Sequence, residues 1–185
     1  MSALLDRVNG PQDIKNMSQA ELLQLCDELR SNIISVVSRN GGHLAPNLGV
    51  IELTVALHRV FNSPEDKIIW DVGHQSYSHK ILTGRFKRFP TIRQYGGLSG
   101  FQQPVESEHD AFVTGHAGVA LSSAMGLAAA NEAEGRKDAK VVAVVGDGAL
   151  GNGVSLEALN NIRELKRILI LVIYDYKMTI SKSVG

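Results

Sequence analysis

The segment GDGALGNG, residues 146–153, contains one carboxylate in a glycine-rich turn directly after the apolar run VVAVV. Asp147 lies between Gly146 and Gly148, which have no Cβ and so let a ligand approach the backbone closely. A helix predicted to follow would direct its unpaired N–H groups at the same point, which favours phosphate. A carboxylate that faces phosphate requires a cation between them, and Mg²⁺ accepts one or two protein oxygens together with phosphate oxygens and water. The segment therefore predicts a magnesium–phosphate site.

An ordinary strand-to-helix turn remains an alternative for this segment. In that interpretation Asp147 only caps the following helix, as Asp does at many helix starts. The spacing of the glycines is not the G-x-G-x-x-G pattern of a dinucleotide-binding fold.

The elements that would position Asp147 alternate between helices and short apolar strands. Ser18 and Glu21 form a capping box before an apolar helical period. Residues 72–110 have little periodicity and predict long loops around a short helix, which in a compact domain are usually functional. Helices are predicted at about 18–37, 49–61, 119–134 and 156–166, and strands at 67–71, 141–145 and 168–174. This order, with buried apolar strands, predicts an α/β fold with a parallel sheet covered by helices on both faces.

Composition excludes several classes of function. Nineteen Lys and Arg balance nineteen Asp and Glu, so nothing indicates the clustered cations of a nucleic-acid groove or a membrane surface. The longest apolar run, about seven residues, is far shorter than the roughly 20 that a membrane span needs. The single cysteine, Cys26, predicts a buried structural thiol in a reducing compartment. We expect no signal peptide and a cytoplasmic location.

Five strings carry a resemblance to a known family: GGHLAPNLGVIELTVALH (41–58), DVGHQSYSHKILTGR (71–85), GGLSGF (96–101), ESEHDAFVTGH (106–116) and GDGAL (146–150). They resemble the amino-terminal part of the 1-deoxy-D-xylulose-5-phosphate synthases, which belong to the transketolase superfamily. The resemblance implies a single, partial thiamine-diphosphate-binding domain over residues 1–185, with a truncated Rossmann-like fold. It also implies thiamine diphosphate and Mg²⁺ as cofactors, and condensation of pyruvate with glyceraldehyde 3-phosphate, with loss of carbon dioxide, toward isoprenoid precursors.

The resemblance also implies roles for individual residues. His43 matches a histidine that assists proton transfer at the reacting carbonyl, and Asp147 matches a magnesium ligand. The positions that match cofactor-binding residues are His74, Gly115, His116, Ala117, Gly118, Gly148, Ala149 and Tyr176. His58 and His109 are interpreted as structural, and His79 receives no chemical role.

Two tyrosines depart from the family pattern at the end of the last predicted strand. The family has Asn-Asp-Asn where this chain has Tyr174-Asp175-Tyr176, and the second asparagine supplies an oxygen to magnesium. A neutral phenol is a poor Mg²⁺ ligand, and its ring occupies space that metal and phosphate would need. We therefore expect Tyr174 and Tyr176 to obstruct the site, although Tyr176 stands at the position of the metal ligand.

Other departures concern donors and the second half of the active site. Ala117, Gly118 and Val119 replace residues that are usually hydroxylic in the family. The family's acid/base glutamate and its substrate-phosphate ligands lie in a second domain, so we expect no turnover by this chain alone. Three interpretations follow: a fragment or divergent copy of the synthase, a subunit of a split enzyme, or a degenerate copy that binds or regulates. A homodimer or a partner subunit is expected because the last strand and the small-residue helix would otherwise be exposed.

Overall fold

A parallel sheet of three strands organises the part of the chain that the computed structural model describes, residues 3–113, 115–165 and 167–175. The strands are β1 (Lys67–Trp70), β2 (Val141–Gly146) and β3 (Leu169–Tyr174), in the order β1-β2-β3. Lys67 is in register with Val141, and Val141 with Leu169. All three strands therefore end at the same edge of the sheet, which we call the carboxyl edge.

Seven α-helices accompany these strands in the described residues. They are α1 (Gln19–Asn40), α2 (Leu44–Leu48), α3 (Ile51–Val60), α4 (Tyr77–Lys80), α5 (Ala120–Ala133), α6 (Asp147–Leu150) and α7 (Gly153–Ile162). The predicted capping box of α1 is present, since the Glu21 N–H donates to Ser18 Oγ and the Ser18 N–H to the Glu21 carboxylate. The short helices α2 and α6 were not predicted, and α7 begins at Gly153 instead of 156 because α6 and α7 are separate helices.

Helices cover both faces of the sheet. The residues of β2 alternate between the two faces, so that Val141, Ala143 and Val145 pack against α5 and α7. Val142 and Val144 pack on the other face against Val50, which precedes α3. A separate apolar cluster lies between α1, α3 and α4. It includes Cys26, which is buried as predicted, and this burial raises the pKa of the thiol to about 11. The predicted α/β fold, a parallel sheet with helices on both faces, is confirmed.

The two edges of the described sheet differ. On β1, the Trp70 N–H donates to Gln102 Oε1 (3.1 Å) and Gln102 Nε2 donates to the Ile68 carbonyl (3.2 Å). The buried carboxamide of Gln102 thus occupies the place of a neighbouring strand. At the opposite edge β3 is only partly buried, and Ile173 is 51% exposed. The apolar run 168–174 predicted a buried strand, but β3 is only partly buried in the described residues, because it lies at the edge of the sheet and β2 takes the centre.

A buried network of charged and imidazole side chains holds the segment between β1 and α5. Arg85 donates from both terminal nitrogens to Asp110 at 2.7 Å, and Lys80 donates to Glu106 at 2.6 Å. His79 Nε2 lies 3.0 Å from Asp110 Oδ1, and His79 Nδ1 lies 2.9 Å from His58 Nε2. Arg85 holds the pKa of Asp110 far below its usual range despite the carboxyl's burial. These contacts agree with the structural role predicted for His58.

No helix among the described residues is both long and apolar enough to span a bilayer.

The two buried imidazoles predict a loss of stability in mild acid. Burial lowers the pKa of His58 and of His79 below the usual 6.5, so the unfolded chain binds more protons than the folded chain below that pH. The free energy of unfolding therefore falls as pH falls from 7 to 5, by up to about 1.4 kcal/mol per pH unit for each imidazole. Asp110 acts in the same direction, but only below its unfolded pKa near 3.9, outside this window.

Urea unfolding between pH 7 and 5 measures this effect. His58→Gln removes one of the two groups and should reduce the pH dependence, while His116→Gln is the matched change on an exposed loop. If the free energy of unfolding falls with pH as steeply in His58→Gln as in His116→Gln, the prediction is contradicted.

Candidate cofactor-binding site

The carboxyl edge of the sheet brings together most of the residues predicted for the site. β2 ends at Gly146, and Asp147 is the first residue of the one-turn helix α6, followed by Gly148 and Ala149. Asp147 is partly buried and Gly148 is exposed, so the turn is open to solvent at this edge. The N-cap of α6 is Gly146, and Asp147 is the first helical residue, so Asp147 does not occupy the N-cap position that a simple capping role would require.

Asp71, the residue directly after β1, holds the loop of residues 115–118. Its buried carboxylate accepts a hydrogen bond from the Gly118 N–H (2.8 Å) and another from the Ala120 N–H (3.0 Å). These donors belong to the start of α5, where backbone N–H groups have no partner within the helix. Gly115, His116 and Ala117 are exposed on the same loop, so Asp71 fixes the base of a segment whose tip faces solvent.

Ser155 connects this loop to α6. Its hydroxyl lies 2.9 Å from the Ala149 carbonyl and 3.3 Å from the Gly118 carbonyl. Gly118 has φ +91°, and a Cβ there would lie 2.8 Å from Asn152 Cβ. Glycine is required at 118 both for its left-handed backbone and for this close approach. Two predicted cofactor-binding positions, Gly118 and Ala149, are thereby held side by side.

Asn47 holds the two histidines His43 and His74 in one place. Its Nδ2 donates to the His43 carbonyl (2.6 Å) and to the His74 carbonyl (2.8 Å), and its Oδ1 accepts from the Tyr77 N–H (2.9 Å). Asn47 is fully buried. The two imidazole rings meet edge to face with their centroids 5.0 Å apart, and the ring of Phe101 lies 6.2 Å from that of His43.

Both imidazoles of this pair are neutral at physiological pH. Burial lowers the pKa of His74 to about 4, with a further contribution from His43. Burial and the Arg93 guanidinium lower the pKa of His43 as well. Nδ1 of each ring is buried without a hydrogen-bond partner among the described residues. A neutral imidazole can donate from one nitrogen and accept at the other, so each ring retains capacity to hold a ligand or move a proton.

Tyr174 closes the carboxyl edge at the end of β3. Its hydroxyl accepts a hydrogen bond from Gln75 Nε2 (2.9 Å), in the loop that carries His74. A Cβ on Gly146 would lie 3.1 Å from the hydroxyl oxygen, so the phenol packs directly on the backbone beside Asp147. Burial raises the pKa of Tyr174 to about 12, and the carboxylates of Asp71 and Asp147 add to the effect.

The donors present fit the diphosphate part of a cofactor better than its metal. The two imidazoles with unpartnered nitrogens and the glycine turn at 146–148 are suited to a phosphate-bearing ligand. Within the described ranges no three His, Cys, Asp or Glu side chains cluster as a metal site. The predicted second metal position, Tyr176, lies outside the described residues. Asp147 is therefore the predicted metal ligand that can be located.

The supporting residues Asp71, Asn47, Gln75 and Ser155 were missed from sequence. Asp71 offered a signal, because a carboxylate directly after a buried strand lies at the edge where ligands bind in open α/β sheets. Asn47 and Ser155 gave none, since their partners are backbone atoms brought close only by the fold.

Comparison with known proteins identifies the family. The family model described as 1-deoxy-D-xylulose-5-phosphate synthase matches residues 5–185. The chain is 56% identical over its whole length to 1-deoxy-D-xylulose-5-phosphate synthase 2 of Geobacter sulfurreducens and 54% identical to the synthase of Pelotomaculum thermopropionicum. It is 56% identical over 182 residues to the synthase of Dictyoglomus thermophilum. In each case it spans 29% of the relative's length. The chain thus belongs to the 1-deoxy-D-xylulose-5-phosphate synthase family, of which it matches the amino-terminal part.

Proposed function

We propose that this chain is the diphosphate-binding part of a thiamine-diphosphate-dependent synthase that joins pyruvate to glyceraldehyde 3-phosphate. The observation that carries the proposal is the convergence at the carboxyl edge of Asp147, the loop of residues 115–118 and the His43–His74 pair. Family membership supplies the reaction, and this geometry supplies a place for the cofactor. Ligands of open α/β sheets bind at this edge.

Each group has a distinct task in the proposed site. Thiamine diphosphate, when bound, would supply the nucleophilic carbon that attacks the carbonyl of pyruvate. Asp147 would hold Mg²⁺, and the neutral imidazole of His74 would bind the diphosphate. His43 would move a proton at the reacting carbonyl, for which its lowered pKa keeps a free nitrogen available at neutral pH. Gly115, His116, Ala117 and Gly118 would lie against the cofactor.

A non-catalytic copy is the second candidate, and Tyr174 favours it. Its ring covers Gly146 and its hydroxyl is bonded to Gln75, beside the carboxylate that would hold the metal. A phenol in this place competes with metal and diphosphate for the same space. The fold and its contact surfaces would then be retained without the cofactor.

Replacing both tyrosines by asparagine should strengthen cofactor binding. Tyr174→Asn with Tyr176→Asn removes two rings and returns the amide oxygens of the family, so Mg²⁺-dependent affinity for thiamine diphosphate should rise by at least about tenfold over the unmodified chain. Isothermal titration calorimetry with and without Mg²⁺ measures the change. Adding Asp147→Ala should abolish the gain, because the metal then loses its carboxylate.

Tyr95→Asn, a fully exposed tyrosine, is the matched control and should leave binding as in the unmodified chain. Circular dichroism establishes that the double variant is folded after it loses the bond to Gln75. Tight binding by the unmodified chain, with no gain in the double variant, would show that the phenols are accommodated and would contradict the second candidate.

The 185-residue polypeptide alone should form no deoxyxylulose phosphate. The acid/base glutamate that the family uses is expected in the part of the relatives that this chain does not match. A coupled assay with pyruvate and glyceraldehyde 3-phosphate should read at background, with the whole Geobacter sulfurreducens relative as positive control. Turnover on adding a polypeptide made of that relative's remaining length would favour the split-enzyme interpretation, and turnover without it would contradict the prediction.

We further propose that the chain forms a homodimer or joins a partner subunit. On α7, Leu156 and Leu159 lie three residues apart on one side of the helix and are 56% and 37% exposed, and neighbouring exposed apolar side chains of this kind occur at interfaces. Sedimentation at micromolar concentration should show a species larger than 20 kDa. Leu156→Glu should shift it toward the monomer, whereas Val60→Glu on the exposed side of α3 should not. A single 20 kDa species in the unmodified chain would contradict a homodimer.

A further inference from the structure

A cavity with both polar and apolar lining residues lies at the opposite edge of the sheet, where β2 and β3 begin. Its volume is about 210 Å³, several times the roughly 30 Å³ of a water molecule in the liquid. Residues from the end of α5, from the loop before β2 and from the start of β3 line it. Since β2 runs from Val141 at this cavity to Gly146 at the carboxyl edge, the cavity is separate from the candidate cofactor site.

The charged residues that line this cavity are all cationic. Lys137, Lys140 and Arg167 line it, and no Asp or Glu does. Arg167 Nη1 donates to the Lys137 carbonyl at 3.1 Å, which ties the loop to the start of β3 and fixes the guanidinium. Lys140 Nζ donates to the Asp138 carbonyl at 2.8 Å. Each of these bonds uses one N–H, so both groups have further donors to offer.

Two carbonyl groups at the end of α5 already accept backbone hydrogen bonds. The Ala130 carbonyl accepts from the Glu134 N–H and the Asn131 carbonyl from the Arg136 N–H, each at 2.9 Å. The side chain of Asp66, a buried carboxylate that does not line the cavity, accepts from the N–H groups of Asn62 and Lys140.

Asn131 gives the cavity a buried polar group. Its side chain lines the cavity, the residue is 4% exposed, and its amide nitrogen has no hydrogen-bond acceptor among the described residues. Buried amide donors in folded proteins are nearly always paired, so an unpaired one beside a cavity calls for an acceptor inside that cavity, which water or the oxygen of a ligand can supply.

We propose that this cavity binds a phosphate group, either inorganic phosphate or the phosphate of a small monoester. Three cations favour the double negative charge of phosphate over the single charge of a carboxylate. The planar guanidinium of Arg167 can donate two parallel hydrogen bonds to phosphate oxygens, and Asn131 adds a neutral donor. The site is independent of the proposed cofactor chemistry, and no residue is shared between the two.

Calorimetric titration of the whole chain with inorganic phosphate at constant ionic strength tests the proposal. We expect saturable binding of phosphate, and acetate should bind at least about tenfold more weakly. A parallel titration with glycerol phosphate shows whether the site prefers a monoester or the free ion. Arg167→Gln and Asn131→Asp should each weaken phosphate binding by about tenfold or more, because one removes a cation and the other places an anion in the cavity.

Arg163→Gln is the matched control, because Arg163 carries the same charge, also precedes β3 in the sequence and is exposed. This change should alter the phosphate affinity by less than about twofold. Binding that Arg167→Gln and Arg163→Gln weaken equally would show a non-specific charge effect and overturn the proposal. A titration of the unmodified chain in which the heat of phosphate binding does not saturate would also overturn the proposal. Because Arg167 is only half-buried, its variant should fold, so the test does not depend on Asn131→Asp.

Discussion

The carboxylate of Asp71 is the constraint on which the arrangement of the carboxyl edge depends. Its backbone N–H pairs with the Val144 carbonyl of β2, while its side chain accepts the two N–H groups at the start of α5. Its own carbonyl accepts from Gln75 Nε2, which also reaches the Tyr174 hydroxyl. One residue therefore joins two strands, a helix and two loops. A buried carboxylate is costly unless it is fully hydrogen-bonded, and here the bonds that satisfy it also position the site.

The irregular segment before α5 obtains its order from the same kind of bond. The Gln103 N–H donates to Asp110 and the Ser99 N–H to Glu106, and both carboxylates are also paired with the buried cations of the network described above. Backbone groups that lack a helix or sheet partner must find another acceptor when they are buried. Side-chain carboxylates supply it here, which allows a long segment with little secondary structure to remain compact.

The sequence predicted the sheet, the long helices and the central turn because those features depend on local periodicity and capping. Ser18 with Glu21 and the β-branched run before Gly146 are such local signals. The short helices α2 and α6 were missed, since four or five residues give no measurable period. The partial burial of β3 was also missed, because an apolar run does not reveal how many neighbours a strand has. For the site, the motif positions came from family resemblance, whereas Asn47 depends on carbonyl groups that only the fold brings together.

The carboxamide of Gln102 has a consequence for how this sheet can be extended. By pairing with Trp70 and Ile68 it uses the hydrogen-bonding groups that β1 would offer to a further strand. A strand from another molecule could displace it only by breaking two bonds in a buried place, which makes addition at β1 unfavourable. Among the described residues, extension is thus directed to the side of β3. The side chain of Gln102 therefore restricts the addition of strands to one edge of the sheet and protects the β1 edge from edge-to-edge aggregation.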